Sequence, residues 1–245
     1  MQKLLSYPLT LIQFLLFGGA LLLFHPIQWL CHNLFGYNAH KQSVSLLNWC
    51  LIRTTHALGT RYTFKKPSNI PKDKPLILVS NHQSMYDIPP IIWFMRAYHP
   101  KFVSKIELGK GIPSVSYNLR HGGSALIDRK DSRQAITEIS KLGTYIETHN
   151  RSAVIFPEGT RSRTGHPKKF QTKGLKILMK KAPSALLVPV SINNSWKILR
   201  YGKFPYGLGV HVSYEVHTPI PNQGDPDRLI AQVEEQVVKG ITSFK

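Results

Sequence analysis

The pattern of apolar and polar residues divides the chain near residue 60. Residues 4–24, LLSYPLTLIQFLLFGGALLLF, contain no charged residue. A run of this length can cross a hydrocarbon core of about 30 Å. A second apolar stretch, residues 43–59, is shorter and contains Arg53, so it predicts a packed or interfacial helix. The aromatic residues that suit a membrane boundary in this region are Trp29, Tyr37 and Trp49.

The first apolar run has three possible readings. Lys3 at its front favours a cleaved signal peptide, but the run is long and no small-x-small cleavage site follows it. A single span and a re-entrant pair of helices in one leaflet both remain open. The few lysines and arginines near the ends do not set the orientation. The sequence therefore predicts membrane-anchoring helices over residues 1–60.

Beyond residue 61 short β-type runs alternate with helical patterns. Runs rich in Val, Ile and Leu predict strands at 75–80, 124–129, 152–159, 185–192 and 208–217. Apolar spacing predicts helices at 132–149, 172–182 and 226–242, and Asp131 suits the N-cap of the first. Strands that alternate with helices predict an α/β domain over 61–245, a mixed, largely parallel sheet flanked by helices. The segment 60–72 is the expected boundary.

The charge of the chain points to an anionic partner. The 32 Lys and Arg residues against 13 Asp and Glu give a net charge of +19. No acidic residue precedes Asp73, and residues 159–214 contain eleven Lys or Arg and no acid. This bias favours nucleic acid, an anionic membrane surface or a phosphorylated substrate as the binding partner.

The two cysteines, Cys31 and Cys50, can form neither a disulfide framework nor a CxxC metal pair.

Polar residues collect where the predicted strands end. His82 and Asp87 follow the strand 75–80, Asp128 and Arg129 end the next, and Glu158 and Arg161 follow AVIF. Ligands bind at the carboxyl ends of strands in sheets of this kind. These side chains are therefore expected to converge on one site.

His82 and Asp87 have the chemistry of a base and its partner. A neutral imidazole can deprotonate an alcohol near pH 7, and a carboxylate on its other nitrogen stabilises the imidazolium. Their five-residue separation suits a loop that enters a helix, and Pro89 and Pro90 are tolerated at a helix start. A capping aspartate beside a structural histidine fits the spacing equally well. Because GxSxG and HExxH are both absent, the base would activate a hydroxyl of the substrate.

Four blocks of sequence resemble one enzyme family. NHQSMYD (81–87) matches the N-H-x4-D motif of the glycerolipid acyltransferases, and FPEGTRS (156–162) matches their F-P-E-G-T-R-S motif. Residues 105–129 resemble the block that ends G-x-x-x-I-D-R, and residues 186–192 the V-P-V block, with a basic stretch at 168–174. The pair of motifs is most similar to lysophosphatidic acid acyltransferases. One departure is Ser116 or Tyr117, where many members have a glycine, which bears on the acyl-chain pocket.

The resemblance implies transfer of a fatty acyl group from acyl-CoA or acyl-carrier protein to the free hydroxyl of 1-acyl-sn-glycerol-3-phosphate, giving phosphatidic acid. It implies His82 as general base and Asp87 as its partner. Substrate-binding residues would be Glu158, Gly159, Thr160, Arg161 and Lys105, with Asn81, Arg129 and Pro189 in support. It implies no metal and no redox cofactor. The expected partners are membrane lipids of an anionic leaflet and the acyl donor, with no nucleic acid and the site on the cytoplasmic face.

Three alternatives stay open at this point. The acceptor could be another lysolipid, such as a lyso-aminolipid. His82 could also activate water, which would make the protein a thioester hydrolase. A membrane-tethered nucleic-acid binder would need basic residues interleaved with exposed aromatics on one face, and it would leave FPEGTRS unexplained.

Overall fold

The computed structural model describes residues 2–242, which begin with two packed helical arms. Helix α1, Gln2–Thr54, bends sharply at Gly36, where φ is 73° and ψ is −165°. Glycine adopts this backbone without a Cβ clash. The bend folds arm 37–54 back along arm 2–35, so that a small apolar cluster joins the two arms at Leu21, Phe24, Leu47 and Leu51. We call residues 2–54 the N-terminal hairpin.

The first arm of the hairpin exposes apolar side chains on its outer face and buries several polar side chains on its inner face. Among its buried side chains are Ser6, Thr10, Gln13 and Gln28. Gln13 Nε2 donates to Tyr86 Oη at 3.1 Å, and Tyr206 N donates to Thr10 Oγ1 at 2.9 Å. Large apolar side chains are exposed along the same arm, at Leu4, Leu5, Leu11, Ile12, Leu15, Leu16, Leu22, Leu23, Leu30 and Leu34. A helix on a water-soluble protein has the opposite polarity, so this face indicates an apolar surrounding.

The body of the protein is built on one eight-stranded sheet. Its strands are β1 Arg61–Lys65, β2 Leu76–Ser80, β3 Pro100–Lys105, β4 Ala125–Ile127, β5 Ser152–Ile155, β6 Leu186–Asn193, β7 His211–Val216 and β8 Ile220–Pro221. Their order is β1-β7-β6-β2-β5-β3-β4, with β8 also beside β6. Strands β6, β2, β5, β3 and β4 are parallel, and β7 and β8 are antiparallel to β6. The predicted mixed, largely parallel sheet is confirmed.

Helices cover both faces of this sheet. They are α2 Ile88–Phe94, α3 Val115–His121, α4 Ser132–His149, α5 Thr172–Lys181 and α6 Pro226–Lys239. Leu76 and Leu78 of β2 point to the core shared with α2 and the hairpin, whereas Ile77 and Val79 point to the core under α4, α5 and α6. Neighbouring residues of a strand face opposite sides, so a fully buried strand needs apolar residues at every position.

The sequence located the buried elements better than the exposed ones. All five predicted strands are present, but 152–159 ends at Ile155 and 208–217 begins at His211. All three predicted helices are present, and Asp131 caps α4 by accepting from the backbone N–H groups of Arg133 and Gln134. Strand β1 lies inside the segment 60–72, which was expected to be the boundary. Its sequence RYTFK has exposed charged ends and only half-buried residues between them, so it carried little strand signal. The division into 1–60 and 61–245 stays a prediction.

Candidate active site

His82 and Asp87 lie together at the carboxyl end of β2. After Ser80 the chain turns through residues 81–84, and a short helical turn, Met85–Asp87, leads into α2. Ser84 caps this turn, because its hydroxyl accepts from Tyr86 N. The turn places His82 Nδ1 at 2.8 Å from Asp87 Oδ2. The Asp87 side chain is fully buried, whereas 13% of the His82 side chain is exposed.

Donors surround the Asp87 carboxylate. Its Oδ2 accepts from Gln83 N at 2.7 Å and from Ser84 N at 2.9 Å, in addition to His82. Its Oδ1 accepts from the hydroxyls of Ser84 and Ser195. An ionised carboxylate has about four acceptor positions, so this group is saturated. The carboxylate is therefore fixed in place and can orient the imidazole.

The other nitrogen of His82 faces Arg161. Since Nδ1 donates its hydrogen to Asp87, Nε2 carries the lone pair in the neutral ring. Arg161 Nε lies 3.3 Å from this Nε2 and donates to it. The ring also stacks on Phe156, with centroids 4.2 Å apart and an angle of 18°. The nitrogen that would take a proton is thus occupied by a guanidinium.

Glu158 joins the two motif loops. Its Oε1 accepts from His82 N at 3.2 Å, and Ser162 N donates to His82 O at 2.7 Å. Only 3% of Glu158 is exposed, and its Oε2 is buried with no hydrogen-bond partner in residues 2–242. Burial raises the pKa of Glu158 to about 7; the nearby backbone N–H groups of His82 and Lys168 and the Lys168 charge oppose this rise, and the Asp87 charge adds to it. This carboxyl can exist in either protonation state near neutral pH.

The loop after Glu158 needs a glycine and is tied down by a lysine. Gly159 has φ of 71°, and a Cβ there would lie 3.1 Å from Gln171 Nε2. Lys168 Nζ donates to Thr160 Oγ1 at 2.7 Å and to Arg161 O at 3.1 Å. The basic stretch 168–174 therefore contacts the motif loop directly, and the sequence had given Lys168 no role of its own.

Asn81 and Pro189 hold the strands beneath the site. The Asn81 side chain bonds to both backbone groups of Ile192, accepting from its N at 2.7 Å and donating to its O at 2.9 Å. It thereby continues the pairing of β2 with β6 past the end of β2. Pro189 lies opposite Val79, where β6 passes from β8 to β7. A proline fits there because it has no N–H to give to a ladder.

Three arginines gather at the rim of the site. Burial lowers the pKa of Arg161, Asp87 opposes this change, and the nearby charges of Arg129 and Arg163 lower the pKa further. Lys105 ends β3 opposite Ile127 of β4, at the same end of the sheet. Within residues 2–242 Lys105 forms no hydrogen bond with the other candidate residues. In the part of the chain that the structure describes, no salt bridge pairs these arginines with an acid, which suits a phosphate-binding surface.

Ser195 and Gln83 belong to the site and were missed by sequence analysis. Ser195 donates to Asp87, and Gln83 Oε1 accepts from Ser195 N at 3.1 Å. The available signal was that Asn194 and Ser195 directly follow the strand ending at Asn193, at the same sheet edge as His82. Tyr117, one of the two positions where many family members have a glycine, is buried and accepts from Asn33 Nδ2 of the hairpin at 3.1 Å.

Among the described residues no group of three or more His, Cys, Asp or Glu could hold a metal ion.

A histidine paired with an aspartate at the carboxyl end of a parallel strand is an arrangement that an acyltransferase can use. The family model described as Acyltransferase matches residues 61–193. The chain therefore belongs to the acyltransferase family, whose members are enzymes.

Relatives with curated names make the comparison finer. The chain is 34% identical to the 1-acyl-sn-glycerol-3-phosphate acyltransferase of Helicobacter pylori over 133 residues, which cover 51% of this chain and 54% of that protein. It is 24% identical to the protein of the same name from Pseudomonas aeruginosa over 232 residues, 93% of this chain and 86% of that protein. The crystal structure of the 1-acyl-sn-glycerophosphate (LPA) acyltransferase PlsC from Thermotoga maritima superposes with a TM-score of 0.81 at 26% identity. That superposition covers 98% of this chain and 96% of the other.

Proposed function

We propose that this enzyme transfers a fatty acyl group from acyl-CoA or acyl-carrier protein to the free hydroxyl of 1-acyl-sn-glycerol-3-phosphate, giving phosphatidic acid. The observation that carries the proposal is the buried Asp87 carboxylate, 2.8 Å from His82 Nδ1, beneath a rim of arginines. The base suits a hydroxyl and the rim suits a phosphate. The names of the relatives, which specify this acceptor, support the same choice.

His82 acts as the general base. Its Nε2 takes the proton of the acceptor hydroxyl while the oxygen attacks the thioester carbonyl. A carbon–oxygen bond forms, the carbon–sulfur bond breaks, and the departing thiolate takes the proton from the imidazolium. Asp87 keeps the hydrogen on Nδ1 and stabilises the imidazolium as it forms. The reaction balances with no metal and no redox cofactor.

Arg161 binds the acceptor phosphate and leaves His82 when it does so. In the free protein its Nε occupies the Nε2 position that the hydroxyl needs. A guanidinium forms stronger, two-pronged hydrogen bonds with a phosphate than with a neutral imidazole. Binding of the acceptor would therefore uncover the base and place the hydroxyl on it in one step. Glu158, whose Oε2 has no hydrogen-bond partner among the described residues, would contact the glycerol oxygens beside it.

The N-terminal hairpin holds the enzyme on the membrane. Helix α1 is long and apolar enough to cross a bilayer by length and composition. A first arm of 34 residues is about 50 Å long, and it packs on the body from Thr10 beside Tyr206 to Asn33 beside Tyr117. A lone span could not keep these contacts. We infer that the hairpin lies in one leaflet, on the cytoplasmic side, where acyl-CoA and acyl-carrier protein are found.

The test is a product analysis with purified enzyme, one labelled acyl donor and a panel of lysolipids. Labelled phosphatidic acid from lysophosphatidic acid, with little product from phosphate-free acceptors, is the expected result. Equal rates on a lyso-aminolipid would overturn the acceptor assignment. Release of labelled free fatty acid in place of any lipid product would identify a hydrolase. Parallel reactions with acyl-CoA and acyl-carrier protein identify the donor.

A further inference from the structure

A second cluster of basic residues lies at the opposite end of the sheet from His82. Strand β3 begins there with Pro100 and Lys101, which pair with the first residues of β5. A recess of about 20 Å³ opens between this strand end, the second arm of the hairpin and the end of α2. That volume admits one or two water-sized atoms, such as the oxygens at one edge of an anion. Its lining includes His40, Lys41, Arg96, His99 and Lys101.

The recess concentrates positive charge without a carboxylate. Its lining contains no Asp or Glu. Lys101 is only 6% exposed, yet within residues 2–242 no salt bridge reaches Lys41, Arg96, Lys101 or Arg151. Aromatic rings compensate part of this charge: Arg151 Cζ lies 3.6 Å and Lys101 Nζ 4.9 Å from the Tyr37 centroid, and Arg96 Cζ lies 4.1 Å from the Trp93 centroid. Buried charges are normally paired, so a partner of opposite charge is missing from this set.

The titration of Lys101 agrees with this geometry. Burial, followed by the charges of Arg151 and Lys41, lowers the Lys101 pKa to about 7. The amine thus loses much of its charge at neutral pH in the free protein. A bound anion favours the charged ammonium and would restore it.

We propose that this recess binds a phosphate group, with Lys101 at its base and Lys41 and Arg96 at its mouth. The site lies apart from the acyl-transfer site and does not depend on the function proposed for it. A lipid headgroup and a soluble phosphate share this chemistry. The surroundings favour the headgroup, because the exposed apolar residues Leu34 and Phe35 directly precede the hairpin bend beside Tyr37, and Trp29 is exposed on the same arm. An apolar surface next to a basic recess is the arrangement found at a membrane interface.

Vesicle binding tests the site with matched charge removals. The wild-type protein and the variants Lys101→Met, Lys41→Met and Lys180→Met are sedimented with phosphatidylglycerol-containing and with pure phosphatidylcholine vesicles at one salt concentration. Lys180 is the control, since it is exposed at the end of α5. Loss of a charge-assisted contact should reduce the preference for anionic vesicles about tenfold for Lys101→Met. Lys41→Met should also reduce it, Lys180→Met should change it less than about twofold, and Lys101→Arg should retain most of it.

Equal losses in all three methionine variants would mean bulk charge attraction and would overturn the proposal. So would a wild-type preference in both Lys101→Met and Lys41→Met. Circular dichroism melting separates a binding defect from misfolding.

Chemical labelling of Lys101 in the intact wild-type protein gives a reading that needs no variant. A small amine-reactive reagent is applied in neutral detergent, and the modified lysines are quantified by mass spectrometry. Protection by phosphatidylglycerol alone supports the site and identifies the lipid headgroup. Protection by inorganic phosphate as well supports the site and identifies a soluble ligand. No protection of Lys101 by either probe would overturn the proposal.

Discussion

The two ends of the sheet handle charge in opposite ways. At the carboxyl end Asp87 is buried among donors from Gln83, Ser84 and Ser195, and it fixes His82. At the amino end Lys101 and Arg151 crowd around Tyr37 with no carboxylate partner among residues 2–242. A saturated carboxylate is set for one geometry, as catalysis needs. A crowded group of cations without an acidic partner is suited to bind an anion. The comparison therefore separates a reaction site at the carboxyl end of the sheet from a binding site at the amino end.

The largest effect should come from His82→Ala. Removing a positioned base lowers acyl transfer about 10²–10⁴-fold, while melting temperature and vesicle binding stay close to wild type. The measurement is the turnover of purified protein with labelled acyl donor and lysophosphatidic acid. His149→Ala, at the last residue of α4 near the amino end of the sheet, is the matched control and should keep wild-type turnover. Near wild-type turnover in folded His82→Ala would remove the contrast between the two ends.

The next effect in size should come from Asp87→Asn. An amide beside Nδ1 can hold the wrong imidazole tautomer, which leaves Nε2 protonated and unable to accept. We expect a loss in kcat on the order of 10³-fold, below the 10⁴-fold upper guide from serine proteases. The KM for the acyl donor should change little, because Asp87 is fully buried beneath His82. A variant that loses donor affinity and keeps kcat would assign Asp87 to binding instead.

Arg161 should affect the acceptor and not the donor. Arg161→Ala removes a charge-assisted contact, so the KM for lysophosphatidic acid should rise roughly 10–100-fold. Arg161→Lys should recover part of the loss, since lysine offers a point charge without the planar fork. A phosphate-free lysolipid should be a poor substrate for wild type, and neither change should raise its KM. Equal increases in KM for both acceptors would contradict a phosphate contact.

The smallest effect should come from substituting Glu158, which should change how the free energy of unfolding depends on pH. Its pKa is raised from 4.5 to about 7 by burial, so the folded protein binds the extra proton between these values. The contribution is fully present below pH 4.5 and is lost as pH rises through 7. Glu158→Gln should therefore gain stability relative to wild type between pH 5 and 7, by up to roughly 3 kcal/mol. Urea unfolding at both pH values measures it, and a constant difference between the two proteins would contradict the buried carboxyl.

The sequence predicted the strands that are buried on both faces, because such strands need apolar residues at successive positions. Leu76–Ser80 is apolar at four positions and buried on both sides, so β2 was readable, whereas the half-exposed β1 and the proline-initiated β3 carry no such signal. The motif residues were found because each follows a buried strand. The contact of Arg161 Nε with His82 Nε2 joins residues 79 positions apart and has no local pattern. The buried polar contacts of the hairpin could not be predicted either, because nothing in the local sequence around Gln13 indicates that its side chain bonds to Tyr86.

The most direct test of the central claim is the acyl-transfer rate of the double variant His82→Ala, Asp87→Asn beside that of His82→Ala alone. If Asp87 acts by orienting His82 and stabilising its imidazolium, it has nothing left to act on once the imidazole is removed. The effects of substituting two groups that work as one unit are not additive. The account predicts that the two folded variants have the same residual turnover, within about twofold. A further loss on the order of tenfold or more would show that Asp87 contributes to the reaction independently, and it would contradict the His82–Asp87 mechanism.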